Sequence, residues 1–139
     1  MSALNRGNLL KKKNLHLIIS TIIIIVVSLT DGLFPTSILP TLFDFKMASI
    51  DLKHIFRAIM GLYLGMVVLW IIGILKPFYW QTATISNVCF MMGLALGRIV
   101  SLVVDRVPSI SFSTGLALEL VLSVWGIVNL KKCRATADQ

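Results

Sequence analysis

The sequence predicts an all-α protein: an integral membrane four-helix bundle, up-down-up-down, with both termini cytoplasmic. Three observations carry that reading. Hydrophobic residues make up 57% of the 139 and charged residues only 14%, whereas soluble domains run near a quarter charged. Four apolar runs reach the length of roughly 20 residues that a helix needs to cross hydrocarbon. The basic residues gather beside those runs, the signature of membrane topology rather than of a nucleic-acid surface, even at a formal charge of +7. No polar stretch interrupts the series, so residues 1–139 form a single membrane domain.

A basic head, residues 1–14, leads into the first span, Leu15 to Phe34 (helix about 15–34). The region around Ser28 and Thr30 lacks an A-x-A pattern and is followed by Asp31 and "GLFPT", so an uncleaved helix is expected rather than a signal peptide. Residues 35–51 are the one long connection. Leu39, Leu42, Phe43 and Phe45 are interleaved there with Asp44 and Lys46, which suits either an interfacial segment or a lid over the bundle. Asp51 is expected to cap the second helix. That helix (about 52–75, apolar from Ile55) stops at Lys76-Pro77, because proline cannot continue a helix. The third helix (about 79–104) is apolar from Ala83 to Val104. The fourth (about 108–130) accepts Pro108 in its first turn, and residues 131–139 form a basic tail.

With both termini on one side, that side carries Arg6, Lys11, Lys12, Lys13, Lys76, Lys131, Lys132 and Arg134, and the other carries Lys46, Lys53 and Arg106. Basic residues favour the cytoplasmic face. Trp70, Trp80 and Trp125 fall near the same boundary, where amphipathic rings settle.

Arg98 is the only charge between Ala83 and Val104. An arginine at that depth costs about 2.5–3.5 kcal/mol or more, so a partner is required. At about 100° per residue Asp105 lies within roughly 20° of Arg98, with Asn87 on the same stripe. Arg57 recurs with Gly61 and Gly65 on the second helix, and Glu119 shares a small-residue face with Gly115, Ser123 and Gly126 on the fourth. Asp31 closes the set from the first helix. Counting the helical rise, Arg57, Arg98 and Glu119 fall within roughly 10 Å of one level in the outer half of the bilayer. Arg98 is therefore expected to pair with Glu119, with Arg57, Asp105 and Asp31 nearby. "GLYLG" and "GLALG" are both G-x-x-x-G, which predicts close packing of helices two and three through Gly61, Gly65, Gly93 and Gly97. The cluster reads either as a structural lock on helix register or as a pocket for a lipid or another polar or anionic ligand.

Other chemistry is missing. Cys89 and Cys133 sit at different depths, and no C-x-x-C, H-E-x-x-H, phosphate loop or G-x-S-x-G occurs. His16 and His54 lie at opposite ends of the bundle, which excludes a bis-histidine haem. No metal and no cofactor is implied.

The order "FRAIMGLYLGM", "LALGRIVSLVVD", proline and "LALELVL" resembles an uncharacterised family of small bacterial four-helix membrane proteins, a domain of unknown function. The likeness runs from Leu15 to Lys132 and rests on Arg57, Gly61, Gly65, Gly97-Arg98, Asp105 and Glu119. More distantly the chain resembles DoxX-type four-helix proteins, some of which accompany redox systems. The resemblance implies the fold and the charged cluster, not an activity. Three functions follow in order: a non-enzymatic accessory subunit or lipid-binding bundle of the cytoplasmic membrane, a membrane enzyme or redox partner acting on a lipid or quinone, and an oligomeric transporter. The partners expected are the bilayer, a lipid or polar ligand, and a second copy or larger membrane complex. Nucleic acid is not among them.

Overall fold

The computed structural model describes residues 3–34, 37, 49–104 and 110–137. Within them the chain forms four helices and no strand: α1 (Ala3–Leu33), α2 (Ile50–Leu75), a 3-10 turn (Pro77–Tyr79), α3 (Trp80–Val104) and α4 (Ile110–Ala137). Each contains a stretch long and apolar enough to cross a membrane. α1 begins earlier and α4 ends later than expected. Both basic flanks continue the helix, because "LLKKKN" and "KKCRATA" hold good helix formers and no proline.

The start of α2 differs from expectation in one detail. Ser49, not Asp51, is the cap. Its backbone is extended, at φ −123° and ψ 152°, and its hydroxyl accepts from the Leu52 N–H at 3.2 Å. Asp51 lies inside the first turn, where its carboxylate meets the positive end of the helix dipole. The other end of α2 closes at Lys76, whose N–H donates to the Ile72 carbonyl at 2.8 Å. Asn14 of α1 donates to the Ile74 carbonyl at 3.2 Å, satisfying one of the acceptors that a helix C-terminus leaves open.

Successive helices run antiparallel as two hairpins, α1 with α2 and α3 with α4, joined through α2 and α3. Gly32 near the end of α1 meets Met60 near the start of α2, and Gly73 near the end of α2 meets Ala83 near the start of α3. Leu17 and Ile24, Val67 and Trp70, Trp80, Met91 and Ala95, and Leu122 form the apolar interior. Almost as many buried residues are polar: His16, Ser20, Thr21, Ser28, Thr84, Asn87, Glu119 and Ser123. The outside is apolar instead, with Ile22, Val26, Leu62, Val68, Val100 and Val121 each more than half exposed. No more than 39% of any spanning window is buried. Such a surface is stable against lipid and would associate in water.

Two expectations are corrected here. Trp70 and Trp80 do not turn their rings outward: both are fully or almost fully buried within the bundle. The Trp70 indole donates to Ser86 Oγ at 3.2 Å across α2 and α3, and the Lys13 ammonium stands 3.8 Å over the Trp80 ring, a cation–π contact. Phe78 and Tyr79 are the exposed aromatic pair of this turn. The second correction concerns the glycines. A side chain at Gly61, Gly65, Gly93 or Gly97 would meet nothing within 4 Å, and all four are exposed, so neither G-x-x-x-G lies at a contact within the chain. The close approaches use Gly32, Gly73 and Gly126, where an added methyl would strike Met60, Ala83 and Val88.

Gly73→Leu and Gly126→Leu are therefore expected to lower the melting temperature in detergent, by the equivalent of about 1–3 kcal/mol or more. Gly61→Leu and Gly97→Leu should leave the monomer's melting temperature unchanged, and thermal unfolding of the four variants checks the contrast.

Candidate functional site

Arg98 leaves α3 toward α4, and its Nε donates to Glu119 Oε1 at 2.9 Å. The two side chains retain 26% and 10% exposure. Both residues sit on the inward stripes of their helices, Met91, Ala95 and Arg98 on α3 and Glu119, Leu122 and Gly126 on α4. Antiparallel packing brings them level. Gly115, one turn from Glu119, makes room for the arginine: a Cβ there would lie 3.3 Å from the guanidinium carbon. The ring of Phe112, a further three residues along α4, lies 4.7 Å from that carbon and adds a cation–π term. A pair taken partly out of water needs such supplementary contacts, because desolvation otherwise cancels the attraction.

The pair is held by one hydrogen bond. Arg98 Nη1 and Glu119 Oε2 are buried and have no hydrogen-bond partner among the described residues. Asp31 of α1 and Tyr63 of α2 lie within the electrostatic field of Arg98, and Tyr63 also feels Glu119 and Asp31. One group from each helix thus lies within reach of this pair's charge. Tyr63 belongs to the site and was not singled out by the sequence. The signal was available, since Tyr63 falls between Gly61 and Gly65 but on the opposite side of α2. Its ring packs edge-on against Phe90 at 5.1 Å, and Phe90 against Trp70 at 5.5 Å, which anchors the site to the core.

The remaining candidates divide. Arg57 is exposed, and no ion pair joins it to the cluster among the described residues. The rotation that turns Tyr63 inward carries the Arg57–Gly61–Gly65 face outward. Asp105 lies outside the described residues, as does most of the 35–51 connection. Gly115 is near the site, but as the seat of Arg98 rather than as a helix–helix contact. Among the described residues no group of three or more His, Cys, Asp or Glu side chains is placed to hold a metal ion.

A second polar group occupies the other end of the bundle, where α1 begins and α4 finishes. His16 is fully buried, and its Nδ1 lies 3.0 Å from Asn129 Nδ2 and 3.2 Å from the Lys13 carbonyl. Its ring stands edge-on to Trp80 at 6.3 Å and tilted to Trp125 at 6.2 Å. The sequence reading passed over His16, because its partner Asn129 lies 113 positions away.

Four apolar helices with an ion pair turned inward define a multi-pass membrane protein of the four-helix kind. Over residues 13–130 the chain matches the family described as a domain of unknown function, DUF4345, and it belongs to that family. The matched segment takes in both polar groups, from His16 to Asn129. Among curated proteins and among solved structures, nothing matches the chain.

Arg98→Met or Glu119→Leu alone leaves one buried charge uncompensated, a loss of about 3–5 kcal/mol for a fully enclosed pair and toward the lower figure here because the arginine keeps some exposure. The double variant Arg98→Met/Glu119→Leu is expected to recover most of that loss. Arg57→Gln, at an exposed position, should change stability by less than about 0.5 kcal/mol. Melting temperatures of the four proteins in one detergent measure the cycle.

Proposed function

We propose that this protein is a non-enzymatic membrane bundle that holds the polar headgroup of a lipid, or a small polar molecule of the same chemistry, at the Arg98–Glu119 site. The observation that carries the reading is the single-bonded pair. It leaves one donor, Arg98 Nη1, and one acceptor, Glu119 Oε2, buried with no partner among the described residues. A group presenting both an acceptor and a donor complements them together; a zwitterionic headgroup does so with its phosphate oxygen and its ammonium. A purely anionic ligand is matched less well, because Glu119 and Asp31 both face Arg98 while Arg57 stands outside. The arginine's partial exposure supplies a way in, and the apolar outer faces of the helices deliver lipid to it.

The bias of lysine and arginine supports an orientation with both termini in the cytoplasm. In the cytoplasmic membrane that orientation places the site in the outer half of the bilayer. Holding a lipid there suits an accessory subunit, since Arg98 and Glu119 are engaged with one another.

Two measurements test the reading. Native mass spectrometry of protein released from detergent is expected to show lipid retained by the parent and lost from Arg98→Met/Glu119→Leu, the variant expected to stay folded. Equal retention by both would show that the site does not hold it. A reporter fused after Gln139 is expected to be active in the cytoplasm, and activity confined to the opposite side would overturn the orientation.

A further inference from the structure

About two turns along α4 from Glu119, roughly 10 Å by helical rise, the interior becomes polar again without a formal charge. Gly126 of α4 is seated on Val88 of α3, and a Cβ on it would lie 3.7 Å from His16 Nε2 of α1. Three helices therefore meet at this point. His16 Nδ1 lies 3.0 Å from Asn129 Nδ2 and 3.2 Å from the Lys13 carbonyl, so the ring makes its contacts through that nitrogen. Nε2 is left beside the α3–α4 contact, fully buried, with no partner among the described residues.

Two further side chains share the condition. Ser20 lies one turn along α1 from His16 and is fully buried. The other buried hydroxyls of the bundle donate to a carbonyl of the preceding turn: Thr21 to Leu17, Ser28 to Ile25, Thr84 to Trp80 and Ser123 to Glu119. Ser20 Oγ has no such partner. Asn87 precedes Val88 on α3, is fully buried, and has neither its amide oxygen nor its amide nitrogen paired among the described residues. Unmet capacity of this kind is rare in proteins, because a polar atom removed from water without a replacement bond is strongly disfavoured.

We infer that the bundle contains a hydrated interior site in which bound water bridges His16 Nε2, Ser20 Oγ and the Asn87 amide. The chemistry selects water. The three groups are neutral and together offer both donors and acceptors, which a water molecule meets with its two to four hydrogen bonds. Among the described residues no carboxylate is paired with them, and the Lys13 ammonium is turned onto the Trp80 ring. Leu17 adjoins His16 in sequence and Trp80 packs edge-on to its ring, both within the apolar core, so the surroundings of these groups are apolar. The inference is independent of lipid binding at Arg98, from which Ile24, Met91 and Leu122 separate it.

The sign of one substitution tests it. Asn87→Leu removes the amide at nearly constant volume. If water bridges the three groups, the change strands His16 Nε2 and Ser20 Oγ, and the melting temperature in detergent falls by several degrees. In a dry site the same change removes an unpaired amide and raises the melting temperature. A rise or no change would overturn the site. The second measurement uses the parent chain in lipid nanodiscs with 15N-labelled histidine and asparagine. Magnetisation transfer from water is expected at the His16 ring nitrogens and the Asn87 side-chain amide, assigned by their loss in His16→Phe and Asn87→Leu. Absence of transfer at both, or transfer only from protons of a molecule other than water, would overturn it.

Discussion

A helix that presents isoleucine, valine and leucine to its surroundings has only its inward face for polar side chains, and a polar atom placed there must find its partner inside the bundle. The rest of this structure follows from that constraint. Serines and threonines on the inward faces turn their hydroxyls back onto the carbonyls of their own helix, which satisfies the donor without another chain segment. Trp70 reaches Ser86 on the next helix, and His16 reaches Asn129 across the bundle. Arg98 cannot be satisfied locally, and it is the residue that obliges α3 and α4 to pack with Glu119 opposite.

Close approach of the helices makes these bonds possible. Gly32, Gly73 and Gly126 each lie where another residue would collide with the facing helix. Gly73 sits just before the tight turn at Lys76 to Tyr79, so the backbones of α2 and α3 converge where the chain reverses. Gly126 draws α4 onto Val88 and brings its surface against the His16 ring. Gly115 acts differently, leaving space for a guanidinium rather than for a helix.

The bundle is divided along its length. At one end Arg98, Glu119, Asp31 and Tyr63 form a charged region with partial access from outside the bundle. At the other, His16, Ser20 and Asn87 form a neutral polar region closed off by Trp80 and Leu17. Ile24, Met91 and Leu122 lie between them, each three to eight residues from the polar members of its own helix.

Run length, charge and proline by themselves determined that four helices would form, that lipid would be their solvent, and where Lys76-Pro77 would end α2. These are local properties: apolar content sets the solvent, and a missing N–H ends a helix. That Arg98 and Glu119 lie level with one another was also legible, because a fixed rise per residue converts sequence distance into height along a helix. The rotation of each helix about its axis was not. Two glycines four apart mark a smooth face but not the direction it turns, so Gly61, Gly65, Gly93 and Gly97 were assigned to a contact that the chain makes elsewhere. Rotating α2 to bury Val67 and Trp70 carried Arg57 outward and Tyr63 inward. His16 gained its meaning only from Asn129, at the far end of the chain. Such azimuths depend on all four helices packing at once, and only the tertiary structure decides them.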